Sequence, residues 1–106
     1  MVLVVGGINQ GKYAFAKSLS EDVVKDLHVE IRSCMEQGED PWELAGQVQL
    51  SHPSGVITMA ELGCGLIPID AFEREYREVV GRISCELAKN AEAVYRVCCG
   101  IATQIK

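Results

Sequence analysis

The sequence predicts an α/β layered fold built on a small, mainly parallel sheet. Three observations predict it. Apolar, β-branched runs alternate with stretches whose apolar residues recur at helical spacing. The runs at Val2–Val5 and Val56–Ala60 are apolar on both faces, as strands covered by helices on each side must be. The first run passes directly into a glycine pair and then a helical pattern, the strand–turn–helix order of a βα unit.

That opening stretch, Val2 to Tyr13, organises the chain. Gly6 to Lys12 satisfies all but the last place of G-x-x-x-x-G-K-[ST], a phosphate-binding loop or P-loop. Glycines let backbone N–H groups approach an anion with no Cβ in the way. The helix that follows adds unpaired donors and the positive end of its dipole. The residues expected to hold phosphate are Gly6, Gly7, Ile8, Asn9, Gln10, Gly11, Lys12 and Tyr13. Lys12 supplies a cation for the transferring phosphate. Tyr13 stands where a Ser or Thr would hold Mg²⁺, and a phenol is too long and rigid for that role. The other reading is a tight βα turn that needs Gly6 and Gly7 for geometry only.

Further elements follow in order. Tyr13 to Leu19 continue as a short helix. Ser20, Glu21 and Asp22 look like a new helix start, and Val23, Val24, Leu27, Ile31, Cys34 and Met35 then recur at helical spacing over residues 21–37. His28 sits beside that stripe and reads as a surface or packed side chain. Asp40-Pro41-Trp42-Glu43 starts a second helix, to about Gln47, with Asp40 as cap and Pro41 at its first position. Residues 51–55 read as a turn. Val56–Ala60 is a strand closed by Glu61, and Leu62 to Pro68 is a glycine-spaced loop. Asp70 and Glu73 form a capping box for the clearest helix, ending near Asn90. Ala93–Cys99 is a strand, Gly100 turns, and Ile101 to Lys106 add an edge strand. Ligands of parallel sheets bind outside the strands' carboxyl ends, where both the glycine turn and Glu61 lie. Glu61 is expected to act as metal ligand or base, or else only to bond nearby backbone amides.

Composition sets the class. The 106 residues suit a single P-loop-like α/β domain, and 48% hydrophobic with 24% charged residues is ordinary for a globular protein. The net charge of −5 argues against nucleic acid or an anionic membrane as partner. Five cysteines and two histidines show no zinc spacing. The cysteines read as reduced thiols in the core of a cytoplasmic protein, with no resident metal. No run has the length of a membrane span or the make-up of a signal peptide.

Two stretches together resemble the adenosylcobinamide kinase/adenosylcobinamide-phosphate guanylyltransferase family of cobalamin biosynthesis. One is Val2–Leu19. The other runs from Glu61 to Lys106 and supplies Glu61, Gly63, Gly65, Pro68, Arg74, Arg77, Gly81 and Arg82 of the family's pattern. The resemblance implies a P-loop fold, shortened relative to the family, and ATP or GTP as nucleotide. It also implies a cobinamide-type substrate and, if active, a kinase in which Lys12 and Glu61 are catalytic. Family members also pass GMP through a guanylylated histidine. That middle segment has no counterpart here, and the His28/Arg32 pair lacks its surrounding motif, so guanylyl transfer is expected to be lost. Tyr13 replaces the family's P-loop Ser, and Ala60 and Ser84 each replace an Asn. An inactive nucleotide-binding or structural protein is the alternative. The short apolar sheet, and the family's tendency to form rings, point to a homo-oligomer.

Overall fold

A computed structural model describes residues 1–62 and 70–106. The glycine-spaced segment after Leu62 therefore lies outside the described residues, apart from Leu62 itself. The described elements are β1 (Val2–Gly6), α1 (Lys12–Leu19), β2 (Val23–Val24), α2 (Leu27–Glu36), α3 (Pro41–Ser51), β3 (Val56–Ala60), α4 (Ala71–Asn90), β4 (Ala93–Cys98) and β5 (Ile101–Gln104). The sheet order is β2-β3-β1-β4-β5. The first four strands in that order are parallel, and β5 returns antiparallel to β4. This is the α/β layered fold with a mainly parallel sheet that the alternation predicts.

The two faces of the sheet are covered unequally. Strand alternation sends Val4, Val56 and Val97 to the face covered by Ala16 and Phe15 of α1. It sends Leu3, Ile57, Met59 and Val94 to the other face, where they meet Leu27 and Ile31 of α2, Ala45 of α3, and Tyr76, Val80, Ile83 and Leu87 of α4. β3 is buried throughout, as its apolar run requires.

Two caps stand where the sequence places them. Asp40 accepts from the Trp42 N–H at 2.9 Å, with Pro41 in the first turn. Asp70 accepts from the Glu73 N–H at 3.1 Å. Glu73's own carboxylate does not close the box but bonds Arg32 across the helix pair, through both terminal guanidinium nitrogens.

The single helix expected over 21–37 is corrected. Val23 and Val24 form the edge strand β2, in register with Val56 and Ile57. The Ser20 hydroxyl accepts from the Asp22 N–H at 3.0 Å, a local turn in place of a helix cap. Asp26 then turns left-handed, with φ 53°, and α2 starts only at Leu27. Helical spacing of two valines was outweighed by a ladder with β3 that no local pattern contains. α3 also runs on to Ser51, and β4 stops at Cys98 because Cys99 turns with φ 52°. The expectation of core thiols holds for Cys34 alone among the described cysteines; Cys85, Cys98 and Cys99 are exposed free thiols. Cys85 is exposed on α4, and the other two lie at the turn of the β4–β5 hairpin.

Candidate functional site

The site forms at the carboxyl ends of β1, β2 and β3. The chain leaves β1 for β2 and β3 on one side and reaches β4 on the other, so the glycine turn lies at the point where strand order reverses, the usual ligand crevice of such sheets. Gly6 is required by space: a Cβ there would overlap the carbonyl oxygen of Val97. Gly11 is required by conformation, φ 95°, and a Cβ there would lie 3.3 Å from the Gly100 Cα. The β4–β5 turn braces the loop from that side. The Cys99 N–H donates to Gln10 Oε1 at 2.7 Å and the Gly100 N–H to the Gln10 carbonyl at 2.9 Å.

Within the loop, the N–H groups of Ile8, Asn9, Gln10 and Gly11 have no acceptor among the described residues. Asn9 is left-handed, φ 59°. Consecutive unpaired N–H groups at a helix start are the donors an anion uses. Lys12 is 6% exposed, and its ammonium donates to the Gly7 carbonyl at 2.6 Å. Burial lowers its pKa, while the charges of Asp26 and Glu61 oppose the drop. Tyr13 is exposed and lies under the Lys25 ammonium, 4.7 Å from its ring centroid. Its ring is engaged at the surface by that cation.

The expected residues are therefore gathered into one place, with one change of emphasis. Glu61 follows β3, and its N–H donates to the Gly6 carbonyl at 2.9 Å. Its carboxylate is held by Arg96 through two bonds, 2.9 and 3.2 Å. Of two neighbours of Lys12, only Asp26 escaped the sequence reading; His28 is packed, one of the two placements the sequence allows. Asp26 closes β2, accepts from the Thr58 hydroxyl at 3.5 Å, and gives its N–H to the same oxygen at 2.7 Å. His28 is 9% exposed, and its Nδ1 accepts from the Ala60 N–H at 3.2 Å. Burial lowers the His28 pKa, Asp26 opposes this and Lys12 adds to it, which keeps the ring neutral at pH 7. The signal for Asp26 was present as Val-Val-Lys-Asp, an acid just after two β-branched residues, but the helical spacing masked it.

Beside the loop is a cavity of about 440 Å³ lined by Ile8, His28, Glu61, Tyr76 and Arg77. Arg32 also lines it, with its guanidinium over the Phe72 and Tyr76 rings and bonded to Glu73. Among the described residues no group of three or more His, Cys, Asp or Glu is placed to hold a metal ion. No described helix is long and apolar enough to cross a membrane.

The family model described as cobinamide kinase / cobinamide phosphate guanyltransferase matches residues 32–105. The chain belongs to this family. Two relatives are the bifunctional adenosylcobalamin biosynthesis proteins CobU of Salmonella typhimurium and of Escherichia coli, each 35% identical over 51 residues. Those residues are 48% of this chain and 28% of each relative, so the alignment spans well under half of the relatives' length. The family match begins at residue 32, which leaves the glycine turn, Lys12, Asp26 and His28 outside it. Glu61, Arg96 and the whole of α4 lie within it.

Proposed function

We propose that the chain is a divergent family member that binds the phosphates of ATP or GTP at Gly6–Tyr13. The observation that supports this most is the run of unpaired N–H groups from Ile8 to Gly11, next to a buried Lys12, at the strand-order switch point. Lys12 would swing from the Gly7 carbonyl to a phosphate oxygen, exchanging a neutral acceptor for an anionic one. A phosphotransferase of the adenosylcobinamide kinase type would use Lys12 to steady the transferring phosphate. Mg²⁺, when bound, would neutralise charge on the phosphates. Asp26 is the carboxylate best placed for it, since Glu61 is engaged by Arg96. With Tyr13 in the hydroxyl's place, binding depends little on the metal. A cobinamide-type acceptor and cobalamin biosynthesis belong to this reading through the family alone.

Calorimetry with ATP and GTP tests it. Wild type is expected to bind in the range of about 0.2 mM to 10 μM with little response to Mg²⁺. Lys12→Ala is expected to weaken binding by about 1.5–3 kcal/mol, the scale of a charge-assisted hydrogen bond. Tyr13→Ser is expected to introduce Mg²⁺ dependence through Asp26. A wild type that strictly requires Mg²⁺ refutes the role given to Tyr13. No binding by the folded chain leaves the second reading, a structural protein whose glycines serve the turn. Guanylyl transfer is expected to be absent, and denaturing electrophoresis after incubation with labelled GTP checks it: covalent label would contradict it. Self-association is expected through the exposed β5 edge, where Ile101 and Ile105 face solvent. A monomeric mass by light scattering would refute that.

A further inference from the structure

The cavity beside the glycine turn holds polar groups that are almost all committed to protein partners. Arg32 is bonded to Glu73, Glu61 to Arg96, Arg77 to the Leu62 carbonyl, and the Tyr76 hydroxyl to the His28 carbonyl at 2.8 Å. His28 differs. Its Nδ1 is taken, but its Nε2 has no partner among the described residues, and none of their side-chain polar atoms is both buried and unsatisfied. Nε2 therefore opens on the cavity that His28 lines together with Ile8 of the turn.

The proton positions follow from the backbone. An amide N–H can only donate, so the Nδ1 that accepts from Ala60 carries no proton. In the neutral ring the proton must then be on Nε2. His28 presents a fixed N–H donor to the cavity and has no lone pair there. A nucleophile or general base needs the opposite, a bare nitrogen facing the ligand.

We propose that the Nε2–H of His28 is a binding group for an anionic phosphate oxygen whose phosphate chain is held by the glycine turn. This rests on the phosphate-binding reading of Gly6–Lys12. The cavity adjoins the turn through Ile8, and the charge of Lys12 is felt at His28. A neutral donor suits this place. It stabilises an anionic oxygen without burying a second cation beside Lys12.

The probe is inorganic triphosphate, and the first readout is the pair of ring-nitrogen ¹⁵N signals of His28. The protonated nitrogen is expected to be Nε2, and its signal is expected to move on saturation with triphosphate. The second readout is affinity. His28→Asn keeps an acceptor for the Ala60 N–H but cannot reach as far as Nε2. It is expected to hold the fold and weaken triphosphate binding by about 3- to 10-fold, the worth of one hydrogen bond. His28→Gln, whose amide reaches further, is expected to recover part of that loss. Unchanged binding in a folded His28→Asn protein overturns this proposal alone. So does a wild-type Nε2 signal that ignores saturating triphosphate, which decides the matter even if the variants fail to fold. Wild type that binds no triphosphate overturns the loop reading, and this proposal with it.

Discussion

Residues 1–31 and residues 32–105 differ in what their side chains do. The first region concentrates features that cost stability. It buries the Lys12 ammonium and His28, and holds Asn9 and Asp26 left-handed. The second region supplies most of the packing: α4 alone places Tyr76, Val80, Ile83 and Leu87 in the core. The family match falls on the second region, while most of the candidate chemistry falls on the first. A family match of this kind reports the frame on which a site is mounted; the site needs its own argument, from unpaired donors and buried charge.

The sharpest way to break that division is to damage each region and measure both properties. Leu87→Ala in α4 removes a fully buried side chain and is expected to cost about 2–5 kcal/mol in urea unfolding. Triphosphate affinity of the molecules that remain folded should be unchanged. A matching loss of affinity would show that the frame and the site are one unit. The converse test is Lys12→Ala, read this time by unfolding. Removing a buried ammonium is expected to leave stability within about 1 kcal/mol of wild type, or raise it, because the desolvation cost goes with the lost bond. A severe loss would make Lys12 a structural residue.

The Arg32–Glu73 clasp ties α2, the helix that runs across the boundary between the regions, to α4, and so probes that boundary through pH. Its bond to Arg32 holds the Glu73 carboxyl below its ordinary value of 4.5. A carboxyl depressed on folding stabilises above its unfolded pKa, and that contribution is lost as pH falls through the folded one. Glu73→Gln should therefore be less stable than wild type at neutral pH, and the two should converge below pH 4.5. Curves that stay parallel down to that range would show that the clasp contributes nothing. The smallest effect expected is at the turn bracing the loop. Cys99→Asn places a residue suited to positive φ where a cysteine sits at 52°, and should add about 1 kcal/mol of stability or less. A loss there would show that the Cys99 side chain, and not only its N–H to Gln10, supports the loop.

Much of the frame was legible because its signals are local. Apolar runs on both faces marked β1 and β3, helical spacing marked α4, and Asp40 and Asp70 announced their helices. The phosphate-loop pattern also placed Gly6, Gly11 and Lys12 together, since a loop closes over neighbouring residues. What only the tertiary structure decided involves partners distant in sequence. Val23 and Val24 became a strand because β3 offered them a ladder 33 residues away. Glu61 was tied down by Arg96, and Asp26 was brought to Lys12 by the end of β2. The proton on His28 was placed by the Ala60 N–H, 32 residues along the chain. Periodicity sees one element at a time; hydrogen-bond commitments and buried charge exist only once the sheet has brought its strands together.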